Sequence, residues 1–296
     1  MKLILKIFFS SLFLSFLLAI PRGGAITIFS ITGFYLSSIV GFIVLGIWSI
    51  FCIHKYKTLL KPRNIIIIIF LGVSIIELVF RVRNFSSTII SFPNLIIWWL
   101  GILSGYVVTF ISNKIFRMSF IMIIFVTAYL LSVPGYKMFI HYLNFGTFTG
   151  VTYEKVAYPI QFQTSQGDEV TFSSSNHAYL ILDFWNTYCG VCYQDFPKVQ
   201  DLYDEIKTDQ QFSLYSVHCY MGDKGEDFET GQHILTSRNY TFPALSLSIK
   251  NEMLDSLGVK YYPTVLLLDS CNNIIFKGDI KSVTNKIQEI KLIKNK

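Results

Sequence analysis

The chain has 296 residues, of which 52% are hydrophobic and only 15% charged, with a mean hydropathy of +0.48. Soluble globular chains carry about 25% charged residues, so a wholly soluble protein is excluded. The formal charge of +6 is uneven, because residues 1–145 hold 12 Lys/Arg against a single acid, Glu77, whereas the remainder holds 13 Lys/Arg against 18 Asp/Glu. The basic excess sits in short clusters between apolar runs, which is a membrane-topology pattern and excludes a nucleic-acid-binding patch.

Apolar runs cover 7–20, 25–53, 65–80, 88–111 and 119–133. A hydrocarbon core about 30 Å thick takes roughly 20 helical residues, so five transmembrane helices are expected. The first and third runs are short and Pro93 falls inside the fourth, which leaves counts of four or six open. With the N-terminus inside, Lys2, Lys6, Lys55, Lys57, Lys61, Arg63, Lys114 and Arg117 are cytoplasmic, against Arg22, Arg81, Arg83 and Lys137 outside. Basic flanks are retained in the cytoplasm, so the part after the last span is expected outside it. Removal of the first run as a signal peptide, with Lys2 and Lys6 as its basic end, leaves this orientation unchanged.

An acid at membrane depth is a functional candidate by default, and here it is Glu77. Arg81, four residues on, offers the alternative of a structural ion pair. Cys52 reads as a small apolar filler, and without a second cysteine this region cannot relay electrons by dithiol exchange. Trp98 and Trp99 read as interfacial anchors.

Residues 135–157 are mixed in character and read as a juxtamembrane connector. From 158 to 296 the chain alternates between β-rich runs and amphipathic helices, the pattern of an α/β domain. A hairpin is expected from 160–162 and 169–172 around Gln166-Gly167-Asp168, then a buried strand at 179–184. A helix follows at 194–207, where Phe196, Val199, Leu202, Tyr203 and Ile206 recur at helical spacing. A strand at 212–218, helices at 226–239 and 251–257, a second hairpin from 264–268 and 274–277, and a closing helix at 282–293 complete the expectation. The organisation expected is thus an α-helical membrane region over 1–134, the connector, and an α/β domain with a central mixed sheet over 158–296.

Chemistry concentrates at Cys189-Gly190-Val191-Cys192. Where a strand hands over to a helix, the first cysteine of a C-x-x-C lands on the helix N-terminus, whose unpaired amides and dipole favour a thiolate. The second lies one turn in, within reach of a mixed disulfide on the first. The same spacing serves zinc, but a structural zinc site needs four ligands and the only other cysteines here, Cys219 and Cys271, are isolated. His218 and Cys219 are expected to close a strand at the dithiol pole as ordinary strand residues. Cys271 sits in a distant turn, too far from Cys219 for a disulfide.

The run Asp183-Phe184-Trp185-Asn186-Thr187-Tyr188-Cys189-Gly190-Val191-Cys192 resembles the active-site segment of thioredoxins. Pro197 matches the proline of their active-site helix, and Gly258-Val259-Lys260-Tyr261-Tyr262-Pro263-Thr264 resembles the segment with their cis-proline. The 71 positions from Cys192 to Pro263, the preceding hairpin and the run Tyr240-Thr241-Phe242-Pro243 are similar to the TlpA/ResA-type thiol-disulfide oxidoreductases. Tyr188 stands where a tryptophan is usual, and Asp183 follows thioredoxin more than the TlpA/ResA pattern.

The resemblance implies an α/β thioredoxin fold and an oxidoreductase that exchanges a Cys189/Cys192 dithiol with protein thiols and disulfides. Cys189 attacks, Cys192 resolves, and Asp183 moves the proton unless it is an ordinarily solvated strand-edge aspartate. Trp185, Tyr188, Tyr262 and Pro263 then shape the substrate surface. No metal or organic cofactor is implied. The partners are the lipid bilayer and a separate electron donor or acceptor, and the setting is a bacterial cytoplasmic membrane with the catalytic domain extracytoplasmic. Two alternatives stand beside this. One is a thiol peroxidase, for which Arg238 is the only arginine after residue 145. The other is a non-catalytic module that binds a partner or copper, although its usual cysteine spacing is C-x-x-x-C.

Overall fold

Among the described residues, five helical stretches are long and apolar enough to cross a membrane: Lys2–Gly23, Gly33–Tyr56, Pro62–Arg83, Ile89–Val108 and Lys114–Phe145. They come from a computed structural model that describes residues 1–23, 26–28, 31–156, 159–172 and 178–294. The chain divides into two compact units, Met1–Ile140 and His141–Lys296.

In the first unit, α1 (Lys2–Ala19) leads through a two-stranded ribbon, β1 (Thr27–Ile28) and β2 (Ile31–Thr32), into α2 (Gly33–Tyr56). Then come α3 (Pro62–Arg83), the single turn α4 (Phe85–Thr88), α5 (Phe92–Val108) and α6 (Lys114–Leu130). Pro93 lies in the first turn of α5, where its missing N–H costs nothing, so it starts that helix and does not break it. The last apolar run in the sequence ends at Val133. The structure instead absorbs Pro134 in a π-helical turn, Leu131–Gly135, and continues as α7 (Tyr136–Phe145).

Helices α2 and α5 pack through small residues. A Cβ on Gly101 would come within 2.4 Å of the Phe42 carbonyl oxygen, and one on Gly105 within 2.3 Å of that of Gly46. For helices that face lipid the hydrophobic effect supplies little drive, and close backbone approach of this kind then matters for association. Gly105→Val is therefore expected to lower the yield of monodisperse full-length protein in detergent severely, whereas Ser104→Ala, one residue away and half-buried, leaves it unchanged; size-exclusion chromatography reads both. Trp98 is not an interfacial anchor. It is fully buried, donating Nε1–H to the Ser37 carbonyl at 3.0 Å, and Trp99 donates to Ser74 Oγ at 2.8 Å. Both indoles found partners inside the bundle because α2 and α3 present hydroxyls and carbonyls there.

The second unit is built on an eight-stranded mixed sheet in the order β3-β10-β9-β6-β7-β8-β4-β5. The strands are β3 (Val151–Lys155), β4 (Ile160–Gln163), β5 (Glu169–Phe172), β6 (Tyr179–Trp185), β7 (Phe212–Tyr220), β8 (Ala244–Ser248), β9 (Thr264–Asp269) and β10 (Asn273–Gly278). The helices are α8 (Gly190–Ile206), α9 (Thr230–Ser237), α10 (Glu252–Ser256) and α11 (Ile280–Lys294). Strands β6, β7 and β8 run parallel, and β9 is antiparallel to β6. Alternation along β6 splits the core in two. Ile181 and Trp185 pack with α8, α9 and α11, whereas Leu180, Leu182 and Phe184 pack with β4, β5 and α10.

Sequence periodicity misses two strands. β3 lies within the stretch read as connector and is mostly exposed, so it carries no apolar alternation; its register with β10, Asn273 opposite Lys155, makes it an edge strand. β8 falls in a stretch given no element by the sequence, and is a strand because β7 offers a parallel partner, Ser216 opposite Ala244. Helix α9 starts four residues later than expected because Asp227 Oδ1 accepts the Glu229 and Thr230 amides and holds a turn there.

Candidate active site

Strand β6 ends at Trp185 and helix α8 begins at Gly190, so the four residues between them form a tight turn that delivers Cys189 to the helix N-cap. Asn186 shapes this turn: its Oδ1 accepts the Tyr188 amide at 3.0 Å and its carbonyl accepts the Cys189 amide at 3.2 Å. Cys189 is half-buried and disulfide-bonded to Cys192, with Cα atoms 5.3 Å apart. The Cys192 amide donates to Cys189 Sγ at 3.1 Å, a contact that stabilises negative charge on that sulfur when the bond is opened. Cys192 itself is 1% exposed. Of the pair, only the Cys189 sulfur is open to an incoming group. Pro197 lies one turn further along α8.

Two further layers brace the turn. Tyr193 donates its hydroxyl to the Thr187 carbonyl at 3.1 Å, and the Arg238 guanidinium stacks 4.5 Å from the Tyr193 ring centroid. Thr187 Oγ1 is 3.0 Å from His218 Nε2, and the His218 ring lies against Trp185 with centroids 4.6 Å apart. His218 is fully buried inside β7, directly opposite Trp185 in the parallel register. Burial lowers its pKa to about 4, against the opposing pull of Glu226 and Asp227, so it is neutral at neutral pH. Cys219 lies on the other face of β7, buried, with its thiol hydrogen-bonded to the Tyr262 side chain and pushed up to about 12 by burial. It is a poor nucleophile. Cys271 is exposed and unpaired in the β9–β10 turn.

Asp183 is 3% exposed, on the β6 face that carries Ile181 and Trp185 and hence on the side of α8 and Cys192. It is not a solvated strand-edge aspartate. Burial, reinforced by the nearby Asp195 carboxylate, raises its pKa to about 7. Its neighbours on that face are polar groups without protein partners: Ser216 Oγ, paired opposite it in β7, and beyond them Trp185 Nε1 and His218 Nδ1, all buried and lacking hydrogen-bond partners among the described residues. Such a cluster in a core calls for ordered water.

The Tyr262–Pro263 peptide is cis. Pro263 precedes β9, whose first residue, Thr264, pairs with Phe184 and donates its hydroxyl to the Tyr261 carbonyl at 2.7 Å. Tyr262 and Pro263 are half-buried, Tyr188 and Val191 are exposed, and Trp185 is wholly enclosed. Tyr188, Tyr262 and Pro263 are thus reachable by a docking polypeptide, whereas Trp185 supports the turn from below. Sequence reading overlooked Asn186, Thr187 and Tyr193 and set His218 aside. Only the parallel register of β6 and β7 brings the last of these under the turn. Among the described residues no group of three or more His, Cys, Asp and Glu is placed to hold a metal ion.

Comparison with known proteins agrees with this geometry. Residues 176–274 match a family model described as thioredoxin-like. The chain is 24% identical over 110 residues to the thiol-disulfide oxidoreductase ResA of Halalkalibacterium halodurans, a match covering 37% of this chain and 58% of that protein. It therefore spans less than two thirds of the length of this curated relative. Similar solved structures include a thiol:disulfide interchange protein from Bacteroides sp., at 20% identity over 47% of this chain and 90% of the other with a TM-score of 0.40. Another is StoA from Bacillus subtilis, at 22% identity over 42% and 88% of the two chains with a TM-score of 0.35. The C-terminal part of the chain is a thioredoxin-like α/β domain, and the curated relative is a thiol-disulfide oxidoreductase.

Proposed function

We propose that the protein is a membrane-anchored thiol-disulfide oxidoreductase whose thioredoxin-like domain works outside the cytoplasm on protein thiols and disulfides. The observation that carries this reading is the Cys189–Cys192 disulfide at the N-cap of α8, one sulfur open and the other enclosed, with a buried carboxylate on the same side of the sheet. In the reducing direction the Cys189 thiolate attacks one sulfur of a substrate disulfide and expels the other as a thiolate. Cys192, deprotonated by Asp183, then attacks Cys189 Sγ and releases the second substrate sulfur, leaving substrate reduced and the pair oxidised. Tyr188, Tyr262 and Pro263 form the surface on which the substrate chain lies. Two electrons per cycle come from a separate membrane or extracytoplasmic dithiol donor, since residues 1–145 contain only Cys52; run in reverse, the same steps oxidise a substrate dithiol and need an acceptor. The domain limits proposed for this role are 1–134 for the membrane region and 158–296 for the catalytic domain, with 135–157 joining them and contributing the end of the fifth helical stretch and the edge strand β3.

The test is exchange by the full-length protein in detergent: reduced protein should open a disulfide-bonded protein substrate, and the activity should vanish on alkylation of Cys189. Placement outside the cytoplasm rests on the eight basic residues flanking the spans on one side against four on the other. A reporter that works only after export, fused after Lys296, is expected to be active, and strong activity of a cytoplasm-only reporter at the same point would reverse the topology.

A further inference from the structure

Glu77 is the only acid among residues 1–145, yet two guanidinium groups close on it. Arg22 Nη1 donates to both carboxylate oxygens, at 3.0 and 3.1 Å, and Arg81 Nη1 pairs with Oε2. Among the described residues, every other partner of the two arginines is neutral. Arg22 Nε and Nη2 donate to Asn94 Oδ1 at 2.9 and 2.6 Å, and the guanidinium stacks 4.6 Å from the Trp98 ring centroid. Arg81 Nε and Nη2 donate to Ser91 Oγ and the Ser91 carbonyl at 3.1 and 3.2 Å, and its Nη1 also reaches the Glu77 carbonyl at 3.3 Å. An arginine has five N–H donors, so each is left with one N–H on Nη2 that has no partner among the described residues.

These bonds satisfy donors but not charge. One positive charge remains without a counter-ion on side chains that are 16% and 2% exposed, and an unpaired ion is costly away from water. The same three charged side chains line a cavity of about 280 Å³ whose apolar walls are Phe34, Ile76, Phe80 and Ile90. The end of the first span, the start of α2, the end of α3 and the approach to α5 all meet there, so the cavity belongs to one end of the helical unit.

We propose that this cavity seats an anionic amphiphile. Its phosphate or carboxylate group takes the unused N–H donors of Arg22 and Arg81 and supplies the missing negative charge, while its hydrocarbon chain lies along Phe34, Ile76, Phe80 and Ile90. The inference rests on the membrane-spanning reading of residues 1–134 and is independent of the chemistry at Cys189. It also accounts for two basic residues on the side of the bundle that topology leaves poor in them: there they serve a ligand.

The test is lipid binding to the full-length protein in a neutral detergent, read by native mass spectrometry and by the fluorescence of Trp98 beneath Arg22. Wild type should retain phosphatidylglycerol in preference to phosphatidylcholine. Arg22→Gln leaves a neutral Glu77–Arg81 pair and should weaken phosphatidylglycerol binding by roughly tenfold or more, with phosphatidylcholine unchanged. Glu77→Gln leaves both arginines uncompensated and should strengthen it by a similar factor, a change of opposite sign that a folding defect does not produce. Equal retention of the two lipids by wild type, or an undiminished preference in Arg22→Gln, overturns the proposal. Inorganic phosphate competing as well as the lipid at equal concentration overturns the amphiphile and assigns the seat to a soluble anion. Failure of the membrane reading is a separate result, a protein that stays in solution without detergent.

Discussion

Cys189→Ser is expected to abolish disulfide exchange altogether, and Cys192→Ser to convert the protein into a covalent trap. Cys189 is half-buried on a helix N-cap, whereas Cys192 is enclosed one turn in, so only the first can meet a substrate sulfur. Helix N-termini lower thiol pKa values to about 3.5–7.5, which keeps a large thiolate fraction at neutral pH. Removing Cys189 leaves Cys52, Cys192, Cys219 and Cys271. The first three are buried, and Cys271 stands far along the chain in the β9–β10 turn with no helix terminus behind it. Without Cys192 the mixed disulfide on Cys189 cannot be resolved from within, and non-reducing electrophoresis should show protein adducts that disappear with dithiothreitol. Preferential alkylation of Cys192, Cys219 or Cys271 over Cys189 in the reduced native protein at mildly acidic pH would falsify the nucleophile assignment.

Asp183→Asn is expected to slow exchange by about 10²-fold, the usual scale for removing a general base. The amide keeps the shape of the carboxyl but cannot accept the proton of Cys192. With a pKa of about 7 for Asp183, the wild-type rate should climb as pH rises through 7, and that inflection should be missing from the variant. Stability should move the opposite way. The folded-state pKa lies above the ordinary carboxylate value, so folding favours the protonated form; this stability is complete below pH 4 and is lost as pH rises through 7. Asp183→Asn escapes the loss. Its unfolding free energy relative to wild type should gain on the order of 4 kcal/mol between pH 4 and pH 8, since one pKa unit is about 1.36 kcal/mol. A parallel pH dependence of the two proteins in urea unfolding, together with an unchanged rate, would reduce Asp183 to packing.

The helical half was legible because its signal is compositional: runs such as 65–69 have no polar side to misread, and their length is that of helices able to cross a membrane. Its interior was not. The Glu77–Arg81 pair is visible at helical spacing, but Arg22 lies 55 residues away in sequence and joins them only when the ends of the first and third spans come together. Trp98 likewise looked like an anchor until α2 closed over it.

In the second unit, local chemistry was enough for the dithiol, for the turn that presents it and for most of the strands, because alternation and helical spacing are properties of neighbouring residues. Two things belong to the tertiary structure. β3 and β8 are strands by virtue of partners distant in sequence, since an edge strand needs no apolar pattern and a short strand needs a template. The character of Asp183 and His218 is likewise decided by packing. The same residues in an open strand would titrate near their ordinary values; enclosed between the sheet and its covering helices, they are held neutral or near-neutral because the charged form loses its water and finds no full replacement. Sequence by itself determined where the reactive sulfurs stand. The fold decided which of them is reachable and which buried groups can move a proton, because accessibility and desolvation arise only from segments that meet in space.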